Sequence, residues 1–116
     1  MTYRVFEVPE YHEFLDTFGV APESVDDGDA QILRFQIDNE LMAATFDIPG
    51  RSFHCRWSRD SRVVAEIFRE AAVRLRVKSS GPERRIIVDF ETDSECGQLE
   101  VQVSPAFALR DRLLMR

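Results

Sequence analysis

From Ala30 onward the apolar residues of this chain recur at every second position. Leu33, Phe35 and Ile37 share one side of an extended run, with Arg34, Gln36 and Asp38 on the other. Successive side chains of a strand leave opposite faces, whereas the apolar stripe of a helix recurs every three to four residues. The spacing therefore specifies a sheet with one buried face. Asp38, Asn39 and Glu40 supply a tight turn, and Met42, Ala44, Phe46 and Ile48 line the inner face of the returning strand. After Pro49, Gly50 and Arg51 the pattern resumes, with Phe53, Cys55 and Trp57 inward and His54 and Arg56 outward. Three such runs joined by short turns predict an antiparallel meander with Trp57 in its core.

The same spacing extends through the second half. Ile86, Val88 and Phe90 alternate, as do Leu99, Val101 and Val103, with "SSGPE" and "TDSECG" as the intervening turns. Between Arg62 and Lys78 two periods compete. Val64, Ile67, Phe68, Ala71 and Leu75 form a helical stripe, with Asp60 or Ser61 as N-cap. Val63, Ala65 and Ile67 alternate instead, followed by Val73, Leu75 and Val77 with Arg74, Arg76 and Lys78 opposite, and this favours two strands with a bend near Glu70 to Ala72. Ahead of the meander, Tyr3 to Val8 reads as a strand. Pro9 then opens a short helix with Tyr11, Phe14, Leu15 and Phe18 at helical spacing, which Gly19 ends. The expected fold is mainly β, an antiparallel β-sandwich or open barrel of about seven to eight strands with one short N-terminal helix. The alternative is α+β with a second helix near residues 61–75. A chain of 116 residues buries enough surface for a single domain over residues 1–116 without a metal or disulfide staple.

Charge is divided unevenly along this frame. Residues 1–50 hold eleven acids against Arg4 and Arg34, and residues 51–116 hold ten acids against thirteen Lys and Arg, for a total of −6. An acidic total excludes nucleic acid as the expected ligand, because phosphate binding draws on clusters of cations. No run approaches the roughly 18 apolar residues of a membrane span. The first residues lack a secretory pattern, so the cytoplasm is the expected compartment, with Cys55 and Cys96 as two buried thiols.

The carboxylates concentrate in "PESVDDGDAQI", where Glu23, Asp26, Asp27 and Asp29 surround Gly28. A calcium loop of the EF-hand type needs glycine sixth and glutamate twelfth, whereas counting from Asp26 puts Gly28 third and Ile37 twelfth. A calcium site of another kind would have to recruit Asp60 or Asp93. His54 and Cys55, adjacent on a strand, point to opposite faces and cannot grip one metal, and His12 falls on the exposed side of the helix. Nothing places a base beside a nucleophile. No catalytic residue, metal or cofactor is expected, and the outward cations Arg56, Arg74, Arg76 and Lys78 read as a solvated face.

Phe18 to Asp38, "FGVAPESVDDGDAQILRFQID", and Val88 to Arg112, "VDFETDSECGQLEVQVSPAFALRDR", resemble small bacterial immunity proteins of the polymorphic-toxin, contact-dependent inhibition type. In that family a Phe-Gly unit is similarly followed by a proline, an Asp-containing turn and an alternating strand, and the C-terminal strand likewise ends in a Pro-x-Phe-like tail. The likeness covers Phe14 to Arg112 in strand order. It departs where the family places histidine before aspartate, since Asp27 and Gly28 precede Asp29 here, and any role of that histidine lapses. The resemblance implies a non-enzymatic protein that binds and neutralises one cognate toxin domain, with Glu23, Asp26, Asp27 and Asp29 as the partner-binding loop and a homodimer left open. A nuclease-type toxin presents a cationic cleft, which the acid-rich first half would suit. The alternative reading is a small β-sandwich module that binds a ligand or calcium.

Overall fold

The alternating runs pair with one another in chain order. The computed structural model describes residues 5–26 and 28–115. Its elements are α1 (Tyr11–Phe18), β1 (Glu23–Ser24), β2 (Ala30–Ile37), β3 (Glu40–Asp47), β4 (Ser52–Arg59), β5 (Arg62–Glu70), β6 (Ala72–Ser80), β7 (Glu83–Glu91), β8 (Glu95–Ser104) and β9 (Ala108–Met115). They form a five-stranded sheet in the order β1-β2-β3-β4-β5 and a four-stranded sheet in the order β6-β7-β8-β9, antiparallel throughout. The result is a sandwich; the two sheets do not close into an open barrel.

The turns follow from residues that tolerate positive φ. Asp38 (φ 53°) helps turn β2 into β3, and Asp60 and Ser61 (φ 50° and 64°) turn β4 into β5 as a two-residue hairpin. Asp60 and Ser61 thus serve a turn and not a helix cap, so the helix weighed for residues 61–75 does not form. In its place β5 and β6 are separated by Ala71 alone, at φ 65°. The Ala71 carbonyl accepts from the Glu91 N–H at 3.0 Å, and the Ala72 N–H donates to the Arg51 carbonyl at 2.9 Å. The chain changes sheets at that residue.

The inner faces interlock into one apolar cluster. Leu33, Met42, Phe46, Phe53 and Cys55 of the first sheet meet Leu75, Ile86, Val88, Leu99 and Val101 of the second, all buried. Each such side chain contributes about 1.5–3 kcal/mol by leaving water. Trp57 sits at the margin and not at the centre: it is half-buried, its Nε1 donates to Glu40 Oε1 at 2.9 Å, and its ring meets Phe107 edge-on at 6.3 Å. Cost and gain explain the placement, since a buried indole N–H needs a partner and Glu40 is available only at the rim.

The helix closes the open side of this core. Glu10 and Glu13 form a reciprocal capping box, and Gly19, in the left-handed region at φ 72°, donates to the Leu15 carbonyl at 2.8 Å. Phe14 stacks on Phe46 at 5.7 Å and Phe18 meets Phe35 edge-on at 5.3 Å. Tyr11 and Leu15 of the expected stripe stay exposed.

Three differences from the expected strands have physical causes. The strand expected over Tyr3 to Val8 reduces, among the described residues, to one parallel bridge between Glu7 and Arg74, because Pro9 removes the next amide donor; Tyr3 and Arg4 lie outside the described residues. Gly97, expected in a turn, lies within β8, where an added Cβ would come 2.7 Å from the Arg112 carbonyl of β9. Finally, β9 carries Asp111 in register with Leu99 on the inner side. Its carboxylate is held by a forked contact from Arg69 of β5, with Nη1 to Oδ1 at 2.9 Å and Nη2 to Oδ2 as the second bond. Asp111 is therefore an ion-pair partner between the two sheets, and Arg69 also lies over the Phe90 ring at 6.0 Å.

Two stability predictions follow from these features. Ala71→Gly should hold or raise stability by up to about 1 kcal/mol, because an alanine in the left-handed region is strained by about that amount, whereas Ala71→Val should lower it by about 1–2 kcal/mol. Urea denaturation of both variants measures the sign. The second prediction concerns the thiols, both of which are free, with Cys96 only half-buried. Burial pushes the Cys55 thiol up from 9.0 to about 12. Below pH 9 both folded and unfolded Cys55 hold the proton; above it the unfolded chain ionises first. Its stabilisation is thus present below pH 9 and is lost by about 1.4 kcal/mol per pH unit towards pH 12. Cys55→Ala should remove that slope, and a thiol reagent at neutral pH should modify Cys96 well before Cys55.

Candidate partner-binding surface

The acid-rich segment is a short hairpin, not an open loop. Glu23 and Ser24 pair with Ile32 and Gln31, the Val25 N–H donates to Ala30 at 3.0 Å, and the Gly28 N–H donates to Val25 at 2.9 Å. Asp26 adopts φ 47°, a conformation that aspartate tolerates better than most residues. Glu23, Asp26 and Asp29 are exposed, and Asp27 lies outside the described residues. Glu23 Oε2 meets Arg34 Nη1 at 3.0 Å, but with both side chains more than half exposed this pair adds little to stability. The hairpin presents its carboxylates at the β1 edge of the five-stranded sheet.

A calcium site that joins this hairpin to Asp60 is excluded by distance along the strand. Asp60 Oδ1 accepts from Asn39 Nδ2 at 2.8 Å, beyond the far end of β2, and the seven steps from Ala30 to Ile37 span roughly 23 Å. Among the described residues no three side chains of Asp, Glu, His or Cys form a set that could hold a metal ion. His54 and Cys55 do diverge: the Cys55 Sγ lies in the core 3.2 Å from Met42 Sδ, while His54 Nε2 lies outside, 2.7 Å from Glu66 Oε2. His12 is exposed on α1.

The four cations read together from the sequence are separated by the fold. Arg56 belongs to the outer face of the five-stranded sheet, whereas Arg74, Arg76 and Lys78 lie on β6 in the other sheet. There they share the outer face with Arg85, Arg110 and Arg112, which strand register places alongside them. Asp89 and Glu100 are the acids of those rows, and Arg76 pairs with Asp89 at 3.3 Å. Ile87, in register between Arg76 and Glu100, is buried on this outer side, as expected where long side-chain stems lie over an apolar neighbour.

The five-stranded sheet has the opposite character. Its outward positions include Arg34 and Arg56 but also Asp47, Glu66 and Glu70, with the acidic hairpin at the margin. Sequence reasoning missed Phe68 here. The signal was present: once Ala65 and Ile67 face inward, Phe68 must face outward.

No protein-family model matches the chain, and no curated protein matches it in sequence. The fold, by contrast, is that of a solved structure. It superposes on a chain of the contact-dependent growth inhibition toxin–immunity protein complex from Klebsiella pneumoniae 342 with a TM-score of 0.83, covering 97% of this chain and 100% of that one at 10% identity.

Proposed function

We propose that this chain is an immunity protein, which binds and neutralises a cognate bacterial toxin domain without catalysing a reaction. The observation that carries the reading is the likeness in fold, over 97% of the chain, to a chain of a toxin–immunity protein complex. The family resemblance of Phe18 to Asp38 and Val88 to Arg112 points the same way. The separation of charge supports a cationic toxin of nuclease type: the first fifty residues carry eleven acids against two arginines, and the hairpin with Glu23, Asp26 and Asp29 projects from a sheet edge. Neutralisation then consists of occupying the cleft where the toxin would bind phosphate. We place the protein in the cytoplasm, a reading supported by two free thiols, Cys55 and Cys96.

The test is binding to the protein encoded beside this one. Changing Asp26, Asp27 and Asp29 together to lysine should slow association by about tenfold or more, because complementary charge acts chiefly on the rate of encounter. Raising the salt concentration should reproduce the effect in the wild type. Melting temperature should hold, since exposed substitutions of this kind cost within about 0.5 kcal/mol. Unchanged association by the triple variant would remove the hairpin from the interface, and no complex with the wild type would refute the immunity reading.

A further inference from the structure

The cross-strand row that contains Glu23 ends on an exposed aromatic ring. Glu23, Ile32, Thr45, His54 and Phe68 stand directly opposite one another across β1 to β5, so all five share the outer face. Phe68 is 60% exposed. Its ring lies 6.4 Å from that of His54, which is itself held by Glu66. On the same face Leu41 and Val63, 40% and 46% exposed, lie in one row either side of Ser58.

We propose that this outer face of the five-stranded sheet, with Phe68 as its anchor, is the surface that docks a cationic protein domain bearing an apolar recess. The proposal rests on the immunity reading and locates its interface. Charge chooses the face. Around Phe68 the carboxylates Asp47, Glu66 and Glu70 outnumber Arg34 and Arg56, and Glu23, Asp26 and Asp29 extend the negative field at the β1 margin. On the four-stranded sheet six cations outnumber the four outward acids Glu83, Asp89, Glu91 and Glu100, and among the described residues no outward position is aromatic. Apolar anchor and negative field therefore coincide on one side only. A nucleic acid would need the ring among a surplus of cations, and here the six-cation set lies on the opposite sheet from Phe68.

Size fits as well. Four strand spacings separate Glu23 from Phe68, about 19 Å. A standard interface covers about 800 Å² per partner, a patch roughly 30 Å across, so one domain centred over Thr45 and His54 reaches both ends. The aromatic ring at one end supplies an apolar anchor that is desolvated on docking, and the acidic hairpin at the other end supplies polar rim.

The experiment measures affinity for the toxin domain encoded by the neighbouring gene, with three proteins: the wild type, Phe68→Ala, and Arg110→Ala with Arg112→Ala. Phe68→Ala should raise the dissociation constant by at least about 30-fold, mainly through faster dissociation, with the melting temperature held. The arginine variant, on the opposite sheet, should stay within about twofold of the wild type, since it lies outside the interface. Equal binding by wild type and Phe68→Ala overturns the proposal and leaves the immunity reading standing. Loss of binding in the arginine variant alone overturns it in favour of an acidic partner on the other sheet. A wild-type dimer that Phe68→Ala converts to monomer, with toxin affinity intact, assigns the face to a second copy of this chain. A wild type that does not bind the domain overturns the immunity reading and the proposal with it.

Discussion

At Ala71 the chain passes from one sheet to the other with no loop between β5 and β6. The residue holds φ 65°, its carbonyl is taken by Glu91 at the end of β7, and the next amide is taken by Arg51 in the turn between β3 and β4. Backbone alone therefore joins the two layers at this corner. Because one residue separates the strands, Ile67 and Ala72 both face the shared core, and the alternating pattern of the first sheet continues into the second. Side chains fill the gap between the sheets, as where Trp57 of β4 meets Phe107 just ahead of β9.

Beside this corner the sandwich is fastened a second way. There Arg69 and Asp111, 42 residues apart, hold β5 to β9 through paired side chains. A forked arginine–carboxylate contact has defined geometry and so fixes position as well as adding energy. Its half-exposed setting keeps both charges partly hydrated, which avoids the desolvation cost of a fully buried pair.

Much of this architecture was legible in the residues themselves. Alternation fixed β2, β3, β4, β7 and most of β8, and the competition between periods over Arg62 to Lys78 resolved at the expected bend. The sandwich and the terminal helix followed from the same spacing. What escaped was whatever depends on partners from distant segments. β9 was unreadable because Asp111 interrupts Leu109 and Leu113 on the inward side, and only Arg69 of another sheet explains the acid. The surface was half-read for a similar reason. The carboxylates of the hairpin stand out in the sequence, but that Glu23 shares a row with Phe68 depends on the register of four strand pairs. The basic set was misgrouped because Arg56 and Arg74 alternate alike but occupy different sheets.

Separating the carboxylates around Phe68 from the arginines of β6, β7 and β9 makes the molecule an electric dipole directed across the sandwich. A monopole of −6 would draw a cationic body equally from every side. A dipole also exerts torque, turning the five-stranded sheet towards such a body before the surfaces touch. The turning acts only within the screening length, about 8 Å at physiological ionic strength, so it operates in the last water layers before contact. Orientation in that zone raises the share of collisions that begin with the correct face.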